Sequence, residues 1–165
     1  MINSGNVLVT GASGFVGGHL LKRLAYRKEG EVTGTVRMAG SVITTGTVAV
    51  GNIDQHTDWF VALKNQQVVV HTAARAHIMN DQAAEPLAAF REVNVAGTLK
   101  LARQAAEAGI RRFVFISSIK VNGEQTAPGR PFTCDDTPTP EDPYGISKLD
   151  LITHKSQPSL AAYRA

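Results

Sequence analysis

The sequence predicts an α/β fold built on a doubly wound parallel sheet, and three observations predict it. Short β-rich runs alternate with helical stretches along the 165 residues, which is the pattern of βαβ units. The first run, Asn6-Val-Leu-Val-Thr10, leads straight into a glycine-rich turn. A later run, Val68-Val-Val-His-Thr72, is apolar without alternation, as expected of a strand covered on both faces. The length suits a single domain, and 43% hydrophobic with 19% charged residues are globular proportions.

The elements follow in order. After the turn a helix is expected from about Val16 to Lys28, with Lys22, Arg23, Arg27 and Lys28 on its solvated face. Glu31 to Arg37 reads as the second strand, and Val48 to Val50 as a weaker third. Val68 to Thr72 is the fourth. A long Ala-rich helix should run from Pro86 to Ala108 and stop at Gly109, a good C-cap residue. Arg112 to Ser117 then forms the next central strand. From Asn122 to Pro143, five prolines and two glycines exclude a regular element and predict a long surface loop. Loops of this length tend to be functional. A helix should begin near Tyr144, with Pro143 close to its start.

Several functional classes are excluded. The single cysteine, Cys134, cannot form an internal disulfide or a Cys-rich zinc site, and a reducing cytoplasm is the expected location. No stretch approaches the ~20 consecutive apolar residues of a membrane span, and Met1 to Asn6 lacks the basic start of a secretion signal. A net charge of 17 − 14 = +3 is too weak a field to suggest nucleic acid. His71 and His77 near the end of the fourth strand have no third ligand in view, so no metal site is expected.

Chemistry concentrates in two places. Gly11, Gly14 and Gly17 recur every three residues in Thr10-Gly-Ala-Ser-Gly-Phe-Val-Gly17, between a strand and a helix. A pyrophosphate there needs backbone N–H groups at close range, the positive end of the helix and no obstructing Cβ. Ser13, Phe15 and Val16 complete that binding loop. Arg37 stands 20 positions past Gly17, where an acid would take the ribose 2′-hydroxyl of NAD. An arginine suits the 2′-phosphate of NADP instead, although it could equally stack on adenine or face solvent.

The second place is Tyr144-Gly-Ile-Ser-Lys148, which puts a phenol and an ammonium one above the other on a helix face. A nearby cation favours the phenolate, so the pair makes sense as an acid/base for alcohol–ketone interconversion. Phe115-Ile-Ser-Ser118 ends a strand where ligands bind in such sheets. A serine there can hold the substrate oxygen, while Ser117 suits a capping role equally well.

Together these residues resemble the extended short-chain dehydrogenase/reductases, in the NAD-dependent epimerase/dehydratase branch that acts on nucleotide sugars. The matching motifs are TGASGFVG at Thr10–Gly17, VVVHTAA at Val68–Ala74, NVAGT at Asn94–Thr98, FISS at Phe115–Ser118 and YGISK at Tyr144–Lys148. The resemblance implies a Rossmann-like domain over residues 1–155 with an irregular tail at 156–165. It also implies a catalytic set of Ser118, Tyr144 and Lys148. Ala73 and Ala74 would line the NAD or NADP site, Asn94 would support it, and Lys148 would bind the nicotinamide ribose. Asn52 and Ile53 stand where the family places an acid and a hydrophobe beside the adenine.

Two departures shape the expectation. The family's sugar 4,6-dehydratases carry an Asp-Glu pair where this chain has Ile119 and Lys120, and these cannot supply that acid/base pair. What remains is nucleotide-sugar 4-epimerisation, of the UDP-glucose type, or reduction of a 4-keto sugar. Ile119 to Glu124 is similar to a subset of bacterial surface-polysaccharide enzymes. Beyond Leu149 the family pattern is lost, so the C-terminal substrate domain is expected to be absent, through truncation, frameshift or fragmentation. Exposed apolar surface would then favour self-association, with a homodimer as one form. The alternative is a non-catalytic dinucleotide-binding remnant.

Overall fold

A computed structural model describes residues 5–27, 30–40, 46–76 and 83–153. Five parallel strands, β1 (Val7–Thr10), β2 (Val32–Val36), β3 (Thr47–Ala49), β4 (Val68–His71) and β5 (Arg112–Phe115), form one sheet in the order β3-β2-β1-β4-β5. β1 pairs with β2 from Val7↔Val32 and with β4 from Val7↔Val68. The chain therefore reverses direction across the sheet at β1, and the crevice between the ends of β1 and β4 is the place where such sheets bind ligands.

The helices are α1 (Phe15–Arg27), α2 (Phe60–Leu63), α3 (Pro86–Arg91), α4 (Thr98–Glu107) and α5 (Pro143–Thr153). One core, of Leu8, Trp59, Leu63, Val69, Leu101, Ala105 and Ile110, fills the space between the sheet, α2 and α4. A smaller one, of Val9, Ala12, Leu21 and Val36, seats α1. Lys22, Arg23 and Arg27 lie on the exposed face of α1, as expected, and Lys28 falls outside the described residues. Gly109 ends α4 with φ +73°, the left-handed conformation that glycine adopts without strain.

Three expectations need correction, and one element was not foreseen. The helix from Pro86 to Ala108 is not continuous: Glu92–Gly97 forms a π-helical segment between α3 and α4. Asn94 and Gly97, both weak helix formers, lie inside it. A Cβ on Gly97 would meet the Ile53 side chain at 2.5 Å. β4 does alternate, with Val69 and His71 buried and Val68 and Val70 half-buried. β5 is not a central strand among the described residues but the last in the order, with Val114 36% and Ile116 39% exposed. Finally, α2 was not foreseen, because its four residues follow the wholly buried Trp59 rather than any periodic run. The loop from 122 to 142 contains no helix or strand, as its prolines require. The tail expected at 156–165 lies outside the described residues.

Candidate functional site

The glycine loop closes over the end of β4. Gly11 has φ +70°, and a Cβ there would sit 2.9 Å from the backbone of Ala73. Gly17 is tighter still: a Cβ would lie 2.3 Å from the Gly11 carbonyl oxygen and 2.6 Å from Thr72 Oγ1. These two glycines let α1 press its first turn against β1 and β4. Gly14 N–H donates to the Gly11 carbonyl at 2.9 Å, which completes the turn. Ser13, Gly14, Phe15 and Val16 are all exposed, and the first amides of a helix have no partner within it. The loop is thus an open cradle whose first amides can face an anion, and Gly11 and Gly17 lack the Cβ atoms that would push α1 away from β4.

Behind the cradle lies a buried polar relay that sequence reasoning did not foresee. Thr10 Oγ1 lies 2.7 Å from His71 Nδ1, and His71 Nε2 lies 2.9 Å from Thr98 Oγ1. Thr10 Oγ1 also accepts the Ala73 N–H at 3.2 Å, which fixes the backbone beside the cradle. Burial, reinforced by the Lys148 charge, pushes the His71 imidazole down from 6.5 to about 3, so it is neutral. With both nitrogens occupied it has no lone pair for a metal. His77 lies outside the described residues. A strand ending in histidine beside another ending in threonine was the available signal.

Asn94 performs a similar task one layer out. Its side chain is buried, accepts the Arg75 N–H at 2.8 Å and donates to the Arg75 carbonyl at 3.0 Å and to Ser147 Oγ at 2.9 Å. The π-helical segment turns it toward these partners, and π-bulges recur at functional sites. Asn94 therefore ties the loop that follows Ala73 and Ala74 to α5.

On α5, Tyr144 is half-buried, its ring edge-on to Phe90 at 6.3 Å. Lys148 is buried. Its Nζ donates to the Ile116 carbonyl at 3.1 Å and lies 4.4 Å from the Phe115 ring centre and 5.8 Å from that of Tyr144. Burial lowers its ammonium from 10.5 to about 8, so the cation persists at neutral pH close to the phenol. Ser118 ends the stretch after β5 and caps a 3-10 turn at Ile119–Val121, its Oγ accepting the Lys120 N–H at 3.3 Å. The capping serine is thus Ser118, not Ser117, and its own hydroxyl proton stays available to a ligand.

The remaining candidates are placed less tightly. Arg37 lies exposed just past β2, its carbonyl accepting the Gly51 N–H at 3.2 Å. Since Ala12 N–H donates to Thr35 at 3.0 Å, this end of β2 adjoins the cradle. Asn52 is exposed beyond β3, while Ile53 packs against the main core.

A glycine-rich loop and a Tyr–Lys pair thus share one end of one sheet. The model of the NAD dependent epimerase/dehydratase family matches residues 7–154. The chain belongs to this family. It is 51% identical over 145 residues to a UDP-glucose 4-epimerase of Vibrio cholerae, covering 88% of this chain and 44% of that one. Among solved structures it is similar to a short-chain dehydrogenase/reductase superfamily protein of Agrobacterium tumefaciens with bound NAD. That match has a TM-score of 0.71 and 33% identity, over 87% of this chain and 42% of that one. A UDP-glucuronic acid 4-epimerase of Bacillus cereus in complex with NAD matches with a TM-score of 0.71 and 25% identity, over 87% and 49%.

This epimerase/dehydratase chain therefore spans under half the length of those three relatives. Among its described residues, no helix is long and apolar enough to cross a membrane.

Proposed function

We propose that the chain carries the cofactor-binding and acid/base half of an NAD(P)-dependent nucleotide-sugar 4-epimerase, with 4-keto-sugar reduction as the related reaction. The observation that carries this is Lys148: a buried cation, anchored on the Ile116 carbonyl and held 5.8 Å from the Tyr144 ring at the ligand-binding end of the sheet. The likeness to the Vibrio cholerae epimerase favours a UDP-sugar as substrate.

The residues divide the work as follows. Gly11, Ser13, Gly14, Phe15, Val16 and Gly17 would hold the pyrophosphate, with Arg37, Asn52 and Ile53 around the adenosine and Ala73, Ala74 and Asn94 along the crevice. Bound there, the dinucleotide supplies the hydride acceptor and donor for a sugar carbon. Tyr144 takes the proton from the sugar hydroxyl and returns it, while the Lys148 cation favours its phenolate. Ser118 donates a hydrogen bond to the same oxygen, and Lys148 holds the nicotinamide ribose. Arg37 decides between the two cofactors, its cation favouring the 2′-phosphate. A cytoplasmic location suits the exposed free thiol of Cys134. Self-association as a homodimer would cover the half-exposed Val114 and Ile116, and sedimentation checks it.

The test is thermal melting with NAD and with NADP, followed by a UDP-glucose/UDP-galactose interconversion assay. A ligand at 100 times its dissociation constant stabilises a fold by about 2.7 kcal/mol, so a cofactor that binds raises the melting point. Tyr144→Phe should keep that shift and abolish turnover. Unchanged turnover in Tyr144→Phe removes the catalytic assignment. A shift without any turnover in the parent chain supports the other reading, a dinucleotide-binding module that does not catalyse.

A further inference from the structure

The 3-10 turn that Ser118 caps and the helix that carries Tyr144 are joined through Lys120. Lys120 reaches both catalytic elements with three separate groups. Its backbone N–H donates to Ser118 Oγ at 3.3 Å. Its carbonyl abuts the first turn of α5, where a Cβ on the buried Gly145 would lie only 2.6 Å away. Its ammonium donates to Asp142 Oδ2 at 2.8 Å and to the two Glu124 oxygens at 2.9 and 2.6 Å.

Asp142 is not an arbitrary acceptor. Its other oxygen accepts the Gly145 N–H at 2.5 Å, and its carbonyl accepts the Ile146 N–H at 3.0 Å. Those bonds make it the N-cap of α5, two residues before Tyr144. An ammonium has three donors, and here three carboxylate oxygens take them. Lys120 is therefore held by the protein rather than offered to a substrate. At Asp142, burial opposes ionisation, but the Lys120 and Gly145 hydrogen bonds outweigh it and hold the carboxyl below its ordinary range.

Building on the catalytic reading of Ser118 and Tyr144, we propose that Lys120 is a positioning residue. Its ion pair with Asp142 straps the Ser118 turn to the N-cap of α5 and so sets the distance between the serine hydroxyl and the tyrosine phenol. Glu124 lies on the same loop as Lys120 and does not bridge to α5; it steadies the ammonium from behind. The close contact at Gly145 leaves the two backbones little freedom other than sliding along one another, and the strap removes that freedom.

The test is backbone amide NMR of the full chain with Lys120→Met, Lys120→Arg, Asp142→Asn and Glu124→Gln. Asn caps helices as well as Asp does, so Asp142→Asn removes the charge and keeps the cap. The strap predicts that Lys120→Met and Asp142→Asn displace the same signals, those of Ser118 and of Tyr144–Lys148, in the same direction. The double variant should move them no further, Lys120→Arg should restore them, and Glu124→Gln should leave the α5 signals in place. In a chain that turns over UDP-glucose, kcat should fall by about tenfold or more while the dissociation constant for NAD is unchanged. Unmoved α5 signals in Lys120→Met overturn the proposal. So do displacements of opposite sign in the two single variants that add in the double, because these report through-space charge and not position. Absence of NAD binding in the parent would defeat the functional reading instead, and the amide signals would still decide the strap.

Discussion

The two sides of the crevice are built on different physics. The glycine-loop side, at β1 and β4, is made of buried matter: Leu8, Val9 and Val69 are wholly buried, and the Thr10–His71–Thr98 relay is neutral and closed. The Ser118 side, at β5, has half-exposed strand residues and a strap of charges, its Lys120, Asp142 and Glu124 side chains each about a third exposed. Buried packing and satisfied hydrogen bonds are costly to disturb and indifferent to salt. Exposed ion pairs contribute little stability and are screened. The glycine loop thus receives rigidity from the core, whereas the rim at Ser118 is joined to α5 by charges at small energetic expense. Substitutions on the first side should unfold the protein, and those on the second should leave it folded.

The largest effect should come from Gly17→Ala. The new methyl would lie 2.3 Å from one backbone oxygen and 2.6 Å from Thr72 Oγ1, with buried strands behind both. Overpacking of this kind costs about 3 kcal/mol, which denaturant titration would read directly. A near-parental midpoint would mean that the cradle can flex, and the contrast between the two sides would fail.

His71→Leu should come next. It leaves the Thr10 and Thr98 hydroxyls buried without their shared partner, and each stranded group costs about 1–3 kcal/mol. It also tests a pH dependence. The folded imidazole titrates at about 3, against 6.5 ordinarily, so between these values the unfolded chain binds the extra proton. Parental stability should therefore fall as pH drops below about 6.5, by as much as about 1.4 kcal/mol per unit. In His71→Leu that contribution should vanish. Equal acid slopes in both proteins would show that His71 is not the group responsible.

The sequence was informative about the first side for the same reason that side is rigid. Gly11 and Gly17 are dictated by backbone contacts that no other residue fits, and the alternation of strand and helix already implies parallel pairing. The Tyr144–Lys148 spacing is equally local, because one helix carries both. What escaped was non-local. The break in the helix at Glu92–Gly97 depends on Asn94 finding Arg75 and Ser147 across the crevice, partners 19 and 53 residues away. The exposure of β5 depends on what lies beside it in the sheet. Lys120 read from sequence only as a missing acid, because its partner Asp142 stands 22 residues on, across a proline-rich loop. Pro143 marked the helix start, but a helix start does not announce an ion pair.

The smallest expected effect sharpens the comparison most, because it sets equal chemistry on the two sides. Val69 on β4 is wholly buried against Leu8 and Leu101, whereas Val114 on β5 is 36% exposed. Truncation to alanine removes the same two methyl groups in each. At Val69 the lost transfer energy and the cavity together should cost about 2 kcal/mol. At Val114 the site has solvent on one side and leaves no closed cavity, so the cost should stay below about 1 kcal/mol. Denaturant midpoints of the two variants, measured at one protein concentration, give the ratio. If Val114→Ala costs as much as Val69→Ala, then β5 is covered in solution by a surface outside the described residues. Repeating the melt across protein concentrations then separates the candidates. A cost that grows with concentration identifies a second copy of the chain, and a constant cost identifies the chain's own remaining residues.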